Sequence, residues 1–217
     1  MIKNLVFDLG GVIVPLNRIS CLRAFDEVIG YRDFEQILSS YRQHGYFEKF
    51  ETGAISSRKF RQIIRSHASP SADGKPRNIT DRQIDYCLNR FLSDIPQDRI
   101  DALLFFRNDY RMLLLSNTNP IGMDYCRKLF MDKGYRITDI FERLYLSYKM
   151  KLAKPDPEIY RRMIEDSGII PEETLYIDDY AANVTAGKEA GLHSILFTPG
   201  KEDLYAKISE FIEREQR

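Results

Sequence analysis

Four polar clusters have the residue types to do chemistry together: Asp8 ahead of Gly10-Gly11, Ser116-Asn117, Lys154 ahead of Pro155, and Asp178-Asp179. Three of them close apolar runs that read as strands, and Lys154 stands at the start of a helix. Several carboxylates converging with main-chain oxygens suit a hard cation such as Mg²⁺, which prefers oxygen ligands and keeps waters for a phosphate. A carboxylate can also be a covalent nucleophile, forming an acyl phosphate that divides one hard displacement into two. The Ser116 hydroxyl, neighbouring N–H groups and the Lys154 ammonium would then hold and neutralise the transferring phosphoryl oxygens. Gly10 and Gly11 let the backbone approach a ligand closely, and successive N–H groups there can cup an anion. Each cluster taken singly also has a structural reading. Asp before Gly-Gly is a turn pattern, an acidic pair suits a helix N-terminus, Ser116-Asn117 can close a strand, and a single lysine is ordinarily at the surface.

The elements that would position these residues alternate in type. Ile2, Leu5, Val6 and Phe7 suit a central parallel strand covered on both faces, ending at Asp8. Residues 17–92 read as an all-helical insertion. Apolar stripes run through Ile19, Leu22, Phe25 and Ile29, stopped by Gly30, then through Phe34, Ile37, Leu38 and Tyr41, then through Phe60, Ile63, Ile64 and His67. Thr80 with Gln83 forms a capping-box pattern that opens a fourth helix with Ile84, Cys87, Leu88 and Phe91. From Pro96 the pattern becomes alternating helix and strand, with strands at 111–115, 144–146, 174–177 and 193–197. The expected architecture is α/β, a Rossmann-like doubly wound parallel sheet of residues 1–16 and 93–217, with a helical cap of residues 17–92. In such a sheet the carboxyl ends of the strands share one crevice.

Lys plus Arg equals Asp plus Glu at 32 each, so no global field attracts nucleic acid or an anionic membrane, and any anion site must be local. Cys21, Cys87 and Cys126 are odd in number and lack metal-knuckle spacing, which reads as buried free thiols in a reducing compartment. With no signal-peptide pattern and no long apolar stretch, the expected location is the cytoplasm. His67 on its stripe reads as a partnered core histidine, and His193 opens a strand away from the crevice. Arg58, Lys59, Arg61 and Arg65 read as a solvated helix face. His44, beside Tyr46, Phe47 and Phe50, could touch a substrate.

The order Phe7-Asp8-Leu9-Gly10-Gly11-Val12, Leu115-Ser116-Asn117-Thr118, Lys154-Pro155 and Ile177-Asp178-Asp179 with Asn183 resembles the four motifs of the haloacid dehalogenase (HAD) superfamily. The likeness spans practically the whole chain, cap included. It implies that Asp8 is nucleophile and metal ligand, that Asp179 and the Gly10 carbonyl are further ligands of Mg²⁺, and that Asp178 is a ligand or supports one. It also implies that Ser116 and Lys154 bind the phosphoryl group beside Gly11 and Asn117, and that Asn117 and Asn183 orient neighbours. The implied activity is Mg²⁺-dependent hydrolysis of a small phosphorylated metabolite through an aspartyl-phosphate. A 2-haloacid dehalogenase using the same Asp8, and a phosphate-binding protein with little turnover, are the alternatives. One position departs from most phosphatases of the family, which carry a general acid–base Asp where this chain has Gly10. That loss without replacement would forfeit about 10²–10⁴-fold. Sugar 1-phosphates or acyl phosphates, whose leaving groups need less protonation, would suffer least. Bacterial sugar-phosphate phosphatases with an Asp-Leu-Gly-Asn-Val motif also have Gly there, and their cap resembles Phe47 to Ser56. His44 is the candidate replacement for the acid.

Overall fold

The apolar run near the amino terminus forms strand β1 (Asn4–Phe7), buried along its whole length. The computed structural model describes residues 1–35, 45–71 and 73–215. His44, and Ile37, Leu38 and Tyr41 of the second stripe, lie outside those residues. After β1 come helices α1 (Arg18–Ala24), α2 (Tyr46–Glu51), α3 (Ser57–Ser66) and α4 (Asp81–Asn89). Asn17, Ser56 and Thr80 cap α1, α3 and α4 by accepting main-chain N–H groups, and Thr80 with Gln83 makes the expected capping box. Such a cap contributes about 1 kcal/mol.

Three expectations for this region need correction. Helix α1 runs into a π-helical turn, Phe25–Ile29, ended by Gly30 at φ 74°. The buried face is Cys21, Ala24, Phe25 and Ile29, the extra residue of the wider turn bringing Ile29 rather than Val28 onto it, while Ile19 lies off this face and is 73 % exposed. His67 lies just past α3 at the surface, not in the core. It is nevertheless partnered, with Nδ1 2.8 Å from the Ile63 carbonyl and its ring stacked on Tyr31. Arg61 and Arg65 are not simply solvated. Arg61 makes a two-pronged pair with Asp85 at 2.8 and 2.7 Å, and Arg65 binds Asp81 and the Ile79 carbonyl, so they fasten α3 to α4.

Phe25, Phe34, Phe50, Phe60, Ile84 and Leu88 belong to one buried apolar cluster. Two stacked pairs, Phe25 on Phe34 and Phe50 on Phe60, lie within it. Full burial of a side chain of this size is worth about 1.5–3 kcal/mol. Ile121 is the member that comes from the sheet part of the chain.

The rest of the chain supplies α5 (Gln97–Phe106), β2 (Arg111–Ser116), α6 (Pro120–Asp132), β3 (Arg143–Leu146), α7 (Ser147–Met150), α8 (Pro157–Ser167), β4 (Thr174–Asp178), α9 (Ala181–Glu189), β5 (His193–Leu196) and α10 (Leu204–Glu215). All five strands are parallel, in the order β3-β2-β1-β4-β5. The Rossmann-like α/β sheet expected from the alternating pattern is therefore present. Leu5 and Phe7 of β1 pack in one layer with α5, α6 and α10, whereas Val6 packs in the other with α8 and α9. This alternation is the period-2 geometry of a strand. Cys21, Cys87 and Cys126 are free and buried. Among the described residues no helix is long and apolar enough to cross a membrane.

Candidate active site

Register places the chemistry. Phe7 pairs with Leu114 on one side and Ile177 on the other, so Asp8 and Asp178 emerge side by side, with Ser116 one step further along β2. Chain order reverses across β1, the switch point at which doubly wound sheets bind ligands. The loop beyond β3 brings Lys154 into the same crevice. Its side chain is 1 % exposed, and Nζ donates to Asp8 Oδ1 at 2.9 Å, to Asp178 Oδ2 at 2.6 Å and to the Leu115 carbonyl at 2.9 Å. All three ammonium protons are thus directed.

The two acids of the Asp178-Asp179 pair have different surroundings. Asp178 accepts from Lys154 and the Tyr176 hydroxyl on Oδ2, and from the Tyr180 N–H (2.8 Å) and Asn183 Nδ2 (3.0 Å) on Oδ1. Its lone pairs are largely engaged by protein. Asp179 lies against Gly11, where φ is +80° and a Cβ would sit 1.9 Å from Asp179 Oδ2. Gly11 is therefore required both by its backbone conformation and by this close approach. Asp8 accepts from the Leu9 N–H and from Lys154, both on Oδ1, which leaves Oδ2 unengaged by these donors.

The electrostatics leave a surplus of negative charge. Carboxylate oxygens of Asp8, Asp178 and Asp179 lie within 4.8 Å of one another, against one lysine. Burial pushes Asp8 up to about 7, with Lys154 opposing and Asp178 and Asp179 adding to the rise. Burial and then Asp178 push Asp179 up to about 6. The same carboxylates hold Lys154 well above its ordinary value despite its burial. Buried like charges cost several kcal/mol unless compensated, so this donor set fits a divalent cation. Asn183 Oδ1, a buried acceptor without a partner among the described residues, is available beside it for a water or ligand donor.

Asp8, Gly10, Ser116, Asn117, Lys154, Asp179 and Asn183 all line one cavity of about 300 Å³. Asn117 is engaged by its own chain. Its Nδ2 donates to the Lys154 carbonyl (2.9 Å) and its Oδ1 accepts from the Lys154 N–H (2.8 Å), so the side chain fixes the lysine's main chain. Ser116 Oγ has one long hydrogen bond, 3.4 Å to the Asn117 carbonyl. On the far side the helical segment contributes Phe47, Leu88, Phe91 and Leu92, together with Arg18 and Glu51.

Several contributors carry no signal in the sequence. Buried Arg99 donates to the Gly11 carbonyl at 3.1 Å and holds the glycine turn, although within α5 it reads as a surface arginine. Tyr176 reads as an ordinary apolar strand residue, yet its hydroxyl meets Asp178. Ser147 is fully buried, accepts from the Thr118 N–H at 2.9 Å and lies 2.6 Å from the Glu51 carbonyl.

Comparison with known proteins places this arrangement. Residues 2–191 match the family described as haloacid dehalogenase-like hydrolase. The chain belongs to the haloacid dehalogenase-like hydrolases. Among HAD proteins it is 37 % identical over 195 residues to a D-ribitol-5-phosphate phosphatase of Bacteroides thetaiotaomicron, covering 89 % of this chain and 91 % of that one. A HAD-family enzyme of the same organism, crystallised with magnesium and inorganic phosphate, superposes with a TM-score of 0.85 at 38 % identity, over 93 % of this chain and 97 % of that one. A HAD-like family hydrolase of Porphyromonas gingivalis gives 0.86 at 36 % identity, over 98 % of each chain.

Proposed function

We propose that this HAD-like hydrolase is a Mg²⁺-dependent phosphatase of small phosphorylated metabolites, polyol or sugar phosphates foremost, acting through an aspartyl-phosphate on Asp8. The observation that carries the reading is Lys154 Nζ, held between Asp8 at 2.9 Å and Asp178 at 2.6 Å beside the open carboxylate Asp179. That arrangement orients Asp8 and presents positive charge where phosphoryl oxygens would gather. The phosphatase relatives, and magnesium with phosphate in a similar fold, support the substrate class.

In this reading Asp8 Oδ2 attacks phosphorus in line with the departing alcohol, and water then releases phosphate from Asp8. Ser116 and Lys154 bind phosphoryl oxygens, while Asn117 and Asp178 hold Lys154 in place. Asp8, Asp179 and the Gly10 carbonyl would hold the magnesium ion, which when bound neutralises phosphoryl charge. Asn183 and Tyr176 support Asp178. Residues 1–16 and 93–217 form the catalytic core and residues 17–92 the cap whose apolar wall selects the alcohol. A dehalogenase needs no metal and gives no reason for Asp179 against Gly11.

The test is phosphate release from a panel including ribitol 5-phosphate, with Mg²⁺ and with EDTA, for the unaltered chain and Asp8→Asn. The expected outcome is metal-dependent release that the substitution abolishes. Release by Asp8→Asn would defeat the proposal, and halide release in EDTA would point to the dehalogenase.

A further inference from the structure

The nucleophile is well supplied with partners, but proton transfer to the departing alcohol is not. Position 10 bears no side chain, and a Cβ built there would lie 3.3 Å from Leu16 Cδ2, so Leu16 packs closely beside it. Among the described residues lining the cavity, few groups can carry a proton. Lys154 is fixed by Asp8 and Asp178. Burial pushes the Cys126 thiol up to about 12. Tyr180 sits on the opposite side, its N–H on Asp178. Asp8 and Asp179 are taken up as nucleophile and metal ligand in the phosphatase reading, and Glu51 remains, at the end of α2 and lining the same cavity as Asp8 and Lys154.

Its position is anchored to the core. The Glu51 carbonyl lies 2.6 Å from Ser147 Oγ, and two residues on, Lys151 Nζ donates to the Gly53 carbonyl at 2.7 Å. Gly53 has φ +63°, and a Cβ there would lie 2.3 Å from the Tyr148 carbonyl oxygen, so this end of α2 sits tightly against α7. A carboxyl carried on so fixed a backbone meets the positional demand on an acid–base group. Among the described residues no hydrogen bond joins its side chain to Asp8, Gly10 or Asp179.

We propose that Glu51, supplied by the cap, is the proton donor and acceptor that serves this chain in place of a carboxyl at position 10. The role rests on the phosphatase reading. As the Asp8–phosphorus bond forms and the ester P–O bond breaks, the Glu51 carboxyl gives its proton to the departing alkoxide oxygen. In the second step water attacks phosphorus, its proton passes to the Glu51 carboxylate, and the Asp8–phosphorus bond breaks. The sum is phosphate ester plus water giving alcohol plus phosphate, with both acids restored. The surroundings suit a group protonated before the first step. Burial, then Asp8 and Glu48, push Glu51 up to about 8 against the opposing Lys154. Asp179, Arg18 and Lys151 are the other charged groups around this end of the cavity.

The experiment compares the unaltered chain, Glu51→Gln and Glu51→Asp on ribitol 5-phosphate and on acetyl phosphate, whose leaving group needs no proton. The expected result for Glu51→Gln is a fall in kcat of about 10²–10⁴-fold on the polyol ester. On acetyl phosphate the first step should be nearly unchanged, with partial rescue by Glu51→Asp and loss of the alkaline limb of the polyol pH profile. Retained acetyl phosphate chemistry also shows that the variant is folded. Equal loss of the first step on both substrates, read in a single turnover, a change confined to KM, or no change would overturn the role of Glu51 while leaving the phosphatase reading intact. No phosphate release by the unaltered chain from either substrate would overturn both.

Discussion

The two walls of the cavity are built on opposite plans. At the strand ends the charged groups are buried and satisfied one by one: Lys154 has three acceptors, Asp178 has donors on both oxygens, and Asn117 grips the main chain of Lys154. Across the gap, Phe47, Leu88, Phe91 and Leu92 present hydrocarbon, with Arg18 and Glu51 as the charged groups. The first wall suits a ligand group that is always the same, since fixed dipoles around a phosphoryl group need no rearrangement as charge moves. The second suits a variable one, because apolar contact is non-directional and discriminates by shape.

Removing the centre of the polar wall should have the largest effect. Lys154→Met takes the cation from among buried carboxylates and should abolish turnover and destabilise the protein by about 3–5 kcal/mol. Urea unfolding alongside activity measures both. Equal stability would mean that water already solvates the acids and that the wall is not preorganised.

A smaller effect follows from pH. Asp8, Asp179 and Glu51 have carboxyls raised to about 7, 6 and 8. An acid with a raised folded pKa binds more protons folded than unfolded, so its contribution to stability is full near pH 4 and declines as pH rises through the folded values. Without metal the melting temperature should therefore fall between about pH 4 and pH 8. Mg²⁺ held by the ionised acids should flatten that slope, chiefly at the polar wall. Thermal melts across pH with EDTA or Mg²⁺ decide this, and identical slopes would speak against a metal at Asp8 and Asp179.

The smallest effect is expected where the walls meet. Ser147→Ala removes the hydroxyl between Thr118 and Glu51 and should cost about 1 kcal/mol. It should weaken polyol phosphate turnover more than acetyl phosphate turnover, because it loosens the cap side. Parallel losses would show the two walls acting as one unit.

The polar wall was legible in the sequence to a degree the apolar wall was not. Asp8, Ser116 and Asp178 interrupt apolar strands, and a parallel sheet must gather such interruptions at one edge. The capping signal of Thr80 with Gln83 set only α4 of the other wall in place. Arg99, Ser147 and Tyr176 gave no sign, because each acts on a partner distant in sequence and is common in its own element. Asn117 is in the expected place, yet whether its amide meets a ligand or a lysine depends on how the loop at 154 returns. The π-helical turn was hidden because its residues still read as an apolar stripe. Glu51 looks like any glutamate at the end of a short amphipathic helix, and it becomes notable only once position 10 and Leu16 are seen in space.

Leu16 has one further consequence. It forms an antiparallel bridge with Leu92, flanked by the Asn17 N–H on the Phe91 carbonyl (2.7 Å) and the Ser93 N–H on the Pro15 carbonyl (2.8 Å). The outgoing and returning passages of the chain between sheet and helices are thus zipped into one two-stranded neck. A paired neck resists twisting better than two separate tethers, and it adds to the ties at Ser147–Glu51 and Lys151–Gly53. Leu16 is part of that ribbon and also packs beside Gly10. The neck and the packing of the Gly10-Gly11 turn therefore share one side chain.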